Sequence, residues 1–178
     1  MSDGNDSGAA TQRVTWRWLV VALLVIGLDR YTKLLVTAKF ALFERTPVLP
    51  FLDLVRLHNS GAAFSFLANA SGWQNWFFTG VAVAVSALIL WWYFQQPNGR
   101  IVVPLGLALV LGGAVGNLID RLQQGYVVDF VLLHYDRWSF PAFNVADSGI
   151  TVGVILLLMD GFFLEGRRPS RSSASTSR

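Results

Sequence analysis

"IVVPLGLALVLGGAVGNLIDRLQQGYVVDF" occupies Ile101 to Phe130. Its first half is apolar enough to lie in hydrocarbon. Its second half places Asn117, Asp120 and Arg121 at the end of that run and adds Asp129 nine residues after Asp120. A further acid, Asp147, follows in "FNVADSGI". Charges beside hydrocarbon are costly, so acids and amides gathered at the end of an apolar run need an explanation.

The rest of the chain has the same character. Its 178 residues suffice for one domain, 53% of them are hydrophobic and only 14% are charged. A soluble domain carries about a quarter charged residues, so the composition indicates an integral membrane protein. Thirteen Phe, seven Trp and four Tyr suit the membrane interface. A net charge of +3 does not indicate nucleic acid. The basic residues are scattered, and Arg167, Arg168, Arg171 and Arg178 fall in a tail after the last apolar segment, as on a cytoplasmic flank. With no cysteine, the chain has no disulfide, thiolate metal site or cysteine nucleophile.

Four apolar segments are expected to span the membrane as helices, at about 14–36, 73–94, 101–119 and 145–164. Each approaches the roughly 20 residues that cross the hydrocarbon core. Leu19 to Leu28 has the length of a signal-peptide core, but Asp29, Arg30 and Lys33 precede any cleavage site, so an uncleaved first helix is the better reading. Residues 1–12 read as a disordered cytoplasmic N-terminus, 167–178 as a basic cytoplasmic tail that is disordered from Ser170, and 13–166 as a single membrane domain. Four spans put both termini on the cytoplasmic side. "QQPNGR", Gln95 to Arg100, is then a cytoplasmic turn joining an antiparallel hairpin. The outer loops are expected at about 37–72 and 122–143. In the first, "TPVLPFLDLVRLHN" alternates Asp53, Val55 and Leu57 against Leu54, Arg56 and His58, a strand period that predicts a small sheet at the outer surface.

Asn117, Asp120 and Arg121 are spaced i, i+3 and i+4 and share a helix face, with Gly113 and Gly116 one turn below. Taken alone, Asp120 and Arg121 also fit a helix-end cap in which the arginine neutralises the acid. Asp147 opens the fourth helix, where an acid is favoured by the helix dipole, and Asn144 precedes it by three residues. Asp129 also fits a polar residue at a strand edge. Together these residues meet at one mouth of the bundle. Two carboxylates a few ångström apart cannot both ionise, so one keeps a proton near neutral pH. Such a pair can activate water and protonate a leaving amine.

Other chemistries have less support. His58 and His134 read as loop residues with aliphatic neighbours, with no nucleophile elbow and no H-E-x-x-H. Asp160, thirteen residues beyond Asp147, lies about 20 Å further along a helix and reads as a bundle-stabilising acid. Asp29 and Lys33, at i and i+4, read as a pair neutralising two charges in lipid and bracing the site. "HNSGAAFSF", His58 to Phe66, offers a turn that either docks substrate backbone or simply redirects the chain.

"LDRYTK", "HNSGAAFSF", "GNLIDR", "VVDF" and "FPAFNVADS", in this order on a chain of this size, closely resemble the lipoprotein signal peptidases of bacteria, or signal peptidase II. The resemblance covers about Trp16 to Leu164. It implies a metal-free aspartyl endopeptidase of the bacterial cytoplasmic membrane, without cofactor. Such an enzyme cuts the signal peptide from a prolipoprotein just before a cysteine carrying diacylglycerol. Membrane lipid and that substrate are the implied partners, nucleic acid is not, and a monomer is expected. By motif match, the catalytic pair falls on Asp129 and Asp147. The supporting positions fall on Asp29 and Lys33, on Asn59, Gly61 and Ala62, on Asn117, Asp120 and Arg121, and on Asn144 and Ala146. Arg30 departs from the neutral polar residue of many members without touching the pair.

The expected fold is therefore an all-α membrane protein of four transmembrane helices with a small β-rich extracytoplasmic subdomain. A proton-coupled transporter would instead string acids across the membrane depth. A purely structural bundle leaves the Asn/Asp/Arg cluster without a purpose.

Overall fold

The computed structural model of the chain describes residues 16–61, 73–97 and 100–164. Helix α1 spans Arg17–Lys39, α2 Trp73–Phe94, α3 Val102–Gln124 and α4 Val145–Met159, the last running into a π turn at Asp160–Leu164. Strands β1 (Arg45–Leu49) and β2 (Leu52–Asn59) lie between α1 and α2; β3 (Val127–Tyr135) and β4 (Trp138–Ser139) lie between α3 and α4. The terminal segments 1–12 and 167–178, Ala62, and Asn98–Gly99 of the expected cytoplasmic turn lie outside the described residues.

Among the described residues, three helices are long and apolar enough to cross a membrane: Trp73–Phe94, Val102–Gln124 and Val145–Phe162. Helix α1 is as long but carries Asp29, Arg30 and Lys33 in its second half. Two of those charges point inward, since Asp29 is 1% and Lys33 2% exposed. Helix α3 is the hub, packing against α1, α2 and α4. Of its apolar stretch 61% is buried, against 17% for α2 and 11% for α4, whose remaining faces expose residues such as Trp76, Leu88, Trp91, Ile155 and Leu158. A helix bundle that exposes large apolar side chains in this way suits a hydrocarbon surround.

Close backbone approach holds α3 on α4. A Cβ at Gly153 would lie 2.6 Å from the Gly106 carbonyl oxygen, and one at Gly113 would collide with the Ala146 carbonyl oxygen. Small residues at these crossings let the two backbones meet, and that contact brings Asn117 level with the start of α4.

The strands form one antiparallel sheet in the order β1-β2-β3-β4. Both outer loops therefore supply it, where the sequence predicted a sheet in the first and offered a strand edge at Asp129 only as one reading of the second. Alternation along β2 holds in its first half, where Asp53 and Val55 are buried and Leu54 and Arg56 half-buried, but not at Leu57 and His58, both half-buried beyond the register shift between Leu54 and Leu57. Strand β2 is interior to the sheet, and β1 and β4 are its edges. Arg56 ties sheet to bundle by donating to the carbonyls of Thr37 and Phe40 at 3.1 and 2.9 Å, which satisfies free carbonyls at the end of α1.

Two helix boundaries correct the expected spans. Helix α1 continues to Lys39 rather than Val36, because Phe40 is the first extended residue. Helix α3 runs five residues past Ile119, so Asp120 and Arg121 lie inside it. Gly125 ends it with φ 80° and its N–H on the Arg121 carbonyl, the left-handed cap glycine adopts most readily.

Candidate active site

The site is assembled where β3, α3 and the start of α4 meet. In β3, Val127 to Phe130 are all buried, and Asp129 is 3% exposed. Leu57 of β2 stands opposite Asp129. Side chains two apart on a strand share a face, so Asn59 reaches across and its Nδ2 donates to Asp129 Oδ2 at 2.9 Å. The Asn59 oxygen is held in turn by the N–H of Gly61 at 2.9 Å, in a turn where Gly61 has φ 90°.

On the other edge of β3, the N–H groups of Phe130 and Val131 both donate to the Phe143 carbonyl, at 3.0 and 2.9 Å, and Phe143 N–H returns a bond to Val131. This pins the next residue, Asn144, beside Asp129. Asn144 caps α4: its side-chain oxygen accepts from Asp147 N–H at 2.9 Å while its own N–H donates to Asp147 Oδ2 at 3.3 Å. Such a reciprocal box satisfies free donors at a helix start. It also commits the oxygen of Asn144, so its amide nitrogen faces Asp129 Oδ1, at 2.7 Å. One asparagine thus holds both acids. Asn117 supplies the last contact, donating to Asp147 Oδ1 at 2.7 Å.

A chain of ion pairs lies behind the two acids. Lys33 Nζ is 2.6 Å from Asp29 Oδ2, 2.9 Å from Asp120 Oδ2 and 3.0 Å from Asn117 Oδ1. Asp29 Oδ1 accepts the N–H of Ala146 at 2.9 Å, and Asp120 Oδ2 that of Val128 at 3.4 Å. The expected Asp29–Lys33 pair is present, but it is one link of a longer network. Asp120 is corrected: Lys33 and Arg30 neutralise it, the latter at 3.2 Å, and not Arg121. Arg121 lays its guanidinium 5.8 Å from the Phe78 ring centroid. Arg30, which the sequence reading left aside, is the residue it missed. The available signal was a second cation within one turn of Asp29 and Lys33.

Burial, first, and the negative charge of Asp147, second, push the carboxyl of Asp129 up to about 7, against the pull of its donors Asn59 and Asn144. A carboxyl so placed carries its proton near neutral pH beside an acid that is half-buried. Asp147 opens into a cavity of about 390 Å³ walled by Leu133, Phe140, Phe143 and Val152. Asp129 borders another of about 260 Å³ with Leu57, His58, Asn59 and Pro141. A third, of about 240 Å³, brings Phe78, Val85 and Ile150 up to Asn117 and Arg121. Each acid therefore borders a cavity with largely apolar walls.

The histidines are strand residues, not loop residues. His58 stacks on Tyr126 with centroids 3.8 Å apart, and burial together with nearby Arg56 lowers its pKa. His134 lies 3.2 Å from Asp53, which Arg45 also contacts. Burial would raise the carboxyl of Asp53, but these two partners hold it below its ordinary range. Among the described residues, no three His, Cys, Asp or Glu side chains gather as a metal-binding group.

The chain resembles known proteins over most of its length. The family described as Signal peptidase (SPase) II matches residues 21–163. The lipoprotein signal peptidase of Acinetobacter baumannii (strain ATCC 17978) is 52% identical over 157 residues, covering 88% of this chain and 89% of that protein. That of Alteromonas mediterranea is 44% identical over 162 residues, covering 91% and 88%. A solved bacterial membrane enzyme, determined by the in meso method, superposes with a TM-score of 0.75 at 27% identity, over 84% of this chain and 94% of its own. A match spanning the helices, the sheet and both acids leaves one assignment: the chain belongs to the signal peptidase II family.

Proposed function

We propose that this chain removes the signal peptide from prolipoproteins as an intramembrane aspartyl endopeptidase, with Asp129 and Asp147 as the catalytic pair. The observation that carries this reading is the shared asparagine: Asn144 holds Asp129 Oδ1 at 2.7 Å while boxing Asp147. With Asp129 pushed up to about 7, the pair holds one proton between them up to about neutral pH. The ionised acid takes a proton from water as it attacks the scissile carbonyl. The protonated acid gives its proton to the carbonyl oxygen, forming a gem-diol. Collapse breaks the C–N bond as the amine takes the proton from one acid while the other acid takes a hydroxyl proton from the gem-diol, so the pair returns to one proton over two carboxylates.

The fold supports a particular placement. Helix α1 joins the three apolar helices as a fourth span, because Asp29 and Lys33 neutralise each other inside the bundle rather than in lipid. Four spans put both termini on one side, the basic tail marks that side as cytoplasmic, and the sheet and acids lie at the opposite, periplasmic, face of the inner membrane. The substrate is a signal peptide followed by a diacylglyceryl-modified cysteine, for which the apolar cavities beside the acids are suited. Catalysis uses the two carboxylates and water, without metal, and a monomer holds every residue of the site.

Purified protein in detergent, given a diacylglyceryl-modified prolipoprotein and its unmodified precursor, tests this. Cleavage of the first before its cysteine, and not of the second, is expected. Equal cleavage of both would remove the lipid from the recognition, and cleavage elsewhere would reject the assignment.

A further inference from the structure

Beneath the catalytic pair, two carboxylates are almost completely buried: Asp29, 1% exposed, and Asp120, 0%. Among the described residues, one fully buried cation, Lys33, lies between them. Its ammonium group has three hydrogens, and all three are used, on Asp29, Asp120 and Asn117. One positive charge for two carboxylates leaves a deficit. Arg30 makes it up. Its NH1 lies 3.2 Å from Asp120 Oδ1, the oxygen that Lys33 does not hold. The Arg30 side chain is 38% exposed and that of Asp120 1%, so the arginine reaches in from the edge of the bundle.

The resulting order is Arg30, Asp120, Lys33, Asp29, with alternating charge and no net charge. Its far links end at the catalytic residues. Asp29 holds the N–H of Ala146, next to Asp147, and Asp120 that of Val128, next to Asp129. Lys33 reaches Asp147 through Asn117.

We infer that Arg30 is a positioning residue that sets the pH range of the Asp129–Asp147 pair by cancelling the charge of Asp120. The inference rests on reading those two acids as the catalytic pair. Among the described residues, the charged and titratable groups linked to the pair or bordering it include Asp29, Arg30 and Lys33 on α1, Asp120 and Arg121 on α3, His58 on β2, and Tyr126, stacked on His58, between α3 and β3. With Arg30 made neutral, this surround gains one negative charge. The pair then holds its shared proton more tightly, and the pH–rate profile moves to higher pH. A unit charge about 10 Å away, at an effective dielectric of about 20, moves a pKa by about one unit. The partial exposure of Arg30 reduces this to roughly 0.3–1 unit.

The experiment is the pH dependence of kcat and KM on a diacylglyceryl-modified prolipoprotein for the parent, Arg30→Gln, Arg30→Lys, Asp120→Asn and the double variant Arg30→Gln/Asp120→Asn. In Arg30→Gln, the alkaline limb of kcat is expected to move up. Arg30→Lys should keep the parental limb. Asp120→Asn leaves an excess positive charge and should move the limb down, and the double variant should bring it back. A merely structural arginine would change the height of these profiles, not their position. If Arg30→Gln is too unstable to assay, the downward shift in Asp120→Asn and its reversal in the double variant carry the test. Unmoved limbs, or shifts of the same sign in Arg30→Gln and Asp120→Asn, overturn the inference. A parent with no alkaline limb near neutrality would instead reject the catalytic pair beneath it.

Discussion

Lys33 Nζ lies 3.0 Å from Asn117 Oδ1, and this contact decides which way the Asn117 amide faces. A lysine ammonium only donates, so the oxygen turns to Lys33 and the amide nitrogen to Asp147, at 2.7 Å. The ion network on α1 thereby orients a donor on α3 toward an acid on α4. Replacing Asn117 by alanine removes a hydrogen bond to a charged group, worth about 1.5–3 kcal/mol. A fall in kcat of roughly 10- to 100-fold with little change in KM is expected from steady-state cleavage kinetics. A variant with unaltered kcat would show that Asp147 needs no such donor.

Lys33 itself should be the most sensitive position of the network. Removing one partner of a buried ion pair costs about 3–5 kcal/mol, while removing both partners of an isolated pair can be near neutral. The Asp29–Lys33 pair is not isolated, because Lys33 also holds Asp120 at 2.9 Å. Lys33→Met is expected to lower the Tm in detergent more than Asp29→Asn does. The double variant should stay well below the parent, since Asp120 keeps only Arg30. A double variant as stable as the parent would mean that the link to Asp120 contributes nothing.

Much of this arrangement was legible in the sequence. The apolar runs at 73–94 and 145–164 coincide with α2 and with α4 and its π turn. The spacing of Asn117, Asp120 and Arg121 put them on one helix, and period two along Asp53 and Val55 marked a strand. What could not be read was pairing across long sequence separations. Arg30 and Asp120 are 90 residues apart, and no local pattern says which cation meets which acid, so proximity in sequence favoured Arg121. Strand β3 was only partly legible, as a strand-edge position for Asp129, for a related reason. "VVDFVLL" is a continuous apolar run around one acid, and only its pairing with β2 and Phe143 makes it interior to a sheet. The end of α3 did have a signal, in Gly125.

Stability should carry the imprint of Asp129. Its carboxyl is raised from 3.8 to about 7 in the folded chain. Between those values the folded chain keeps a proton that the unfolded chain has lost, so stability falls as pH rises. The contribution is full below 3.8 and lost as pH passes about 7, a change of order 4 kcal/mol. Thermal unfolding in detergent from pH 4 to pH 8 should show the parent losing stability across this range and Asp129→Asn losing much less. Equal slopes would show that Asp129 does not hold its proton so tightly.

Glycines separate packing from propensity. At Gly153 a Cβ would lie 2.6 Å from both the Gly106 carbonyl oxygen and Val110 Cγ2, whereas at Gly27 nothing lies within 4 Å. Gly153→Ala is expected to push α4 off α3, with a loss of about 1–3 kcal/mol and reduced cleavage, because Asn117 and Asp147 lie on those two helices. Gly27→Ala, in the exposed middle of α1, should raise stability by up to about 1 kcal/mol. Parallel Tm measurements decide it, and a harmless Gly153→Ala would contradict the close crossing.

The central claim is that Asp129 and Asp147 divide the work of one hydrolysis. Its most direct test is single-turnover cleavage of a diacylglyceryl-modified prolipoprotein by Asp129→Asn and by Asp147→Asn, each first shown to be folded by its thermal transition in detergent. Asparagine keeps the shape and part of the hydrogen bonding but can neither take the proton from water nor supply one as a carboxylic acid. Each variant is expected to lose at least about 10³-fold in rate, an acid–base contribution of the usual size, while still binding substrate. Near-parental cleavage by either folded variant would contradict the account.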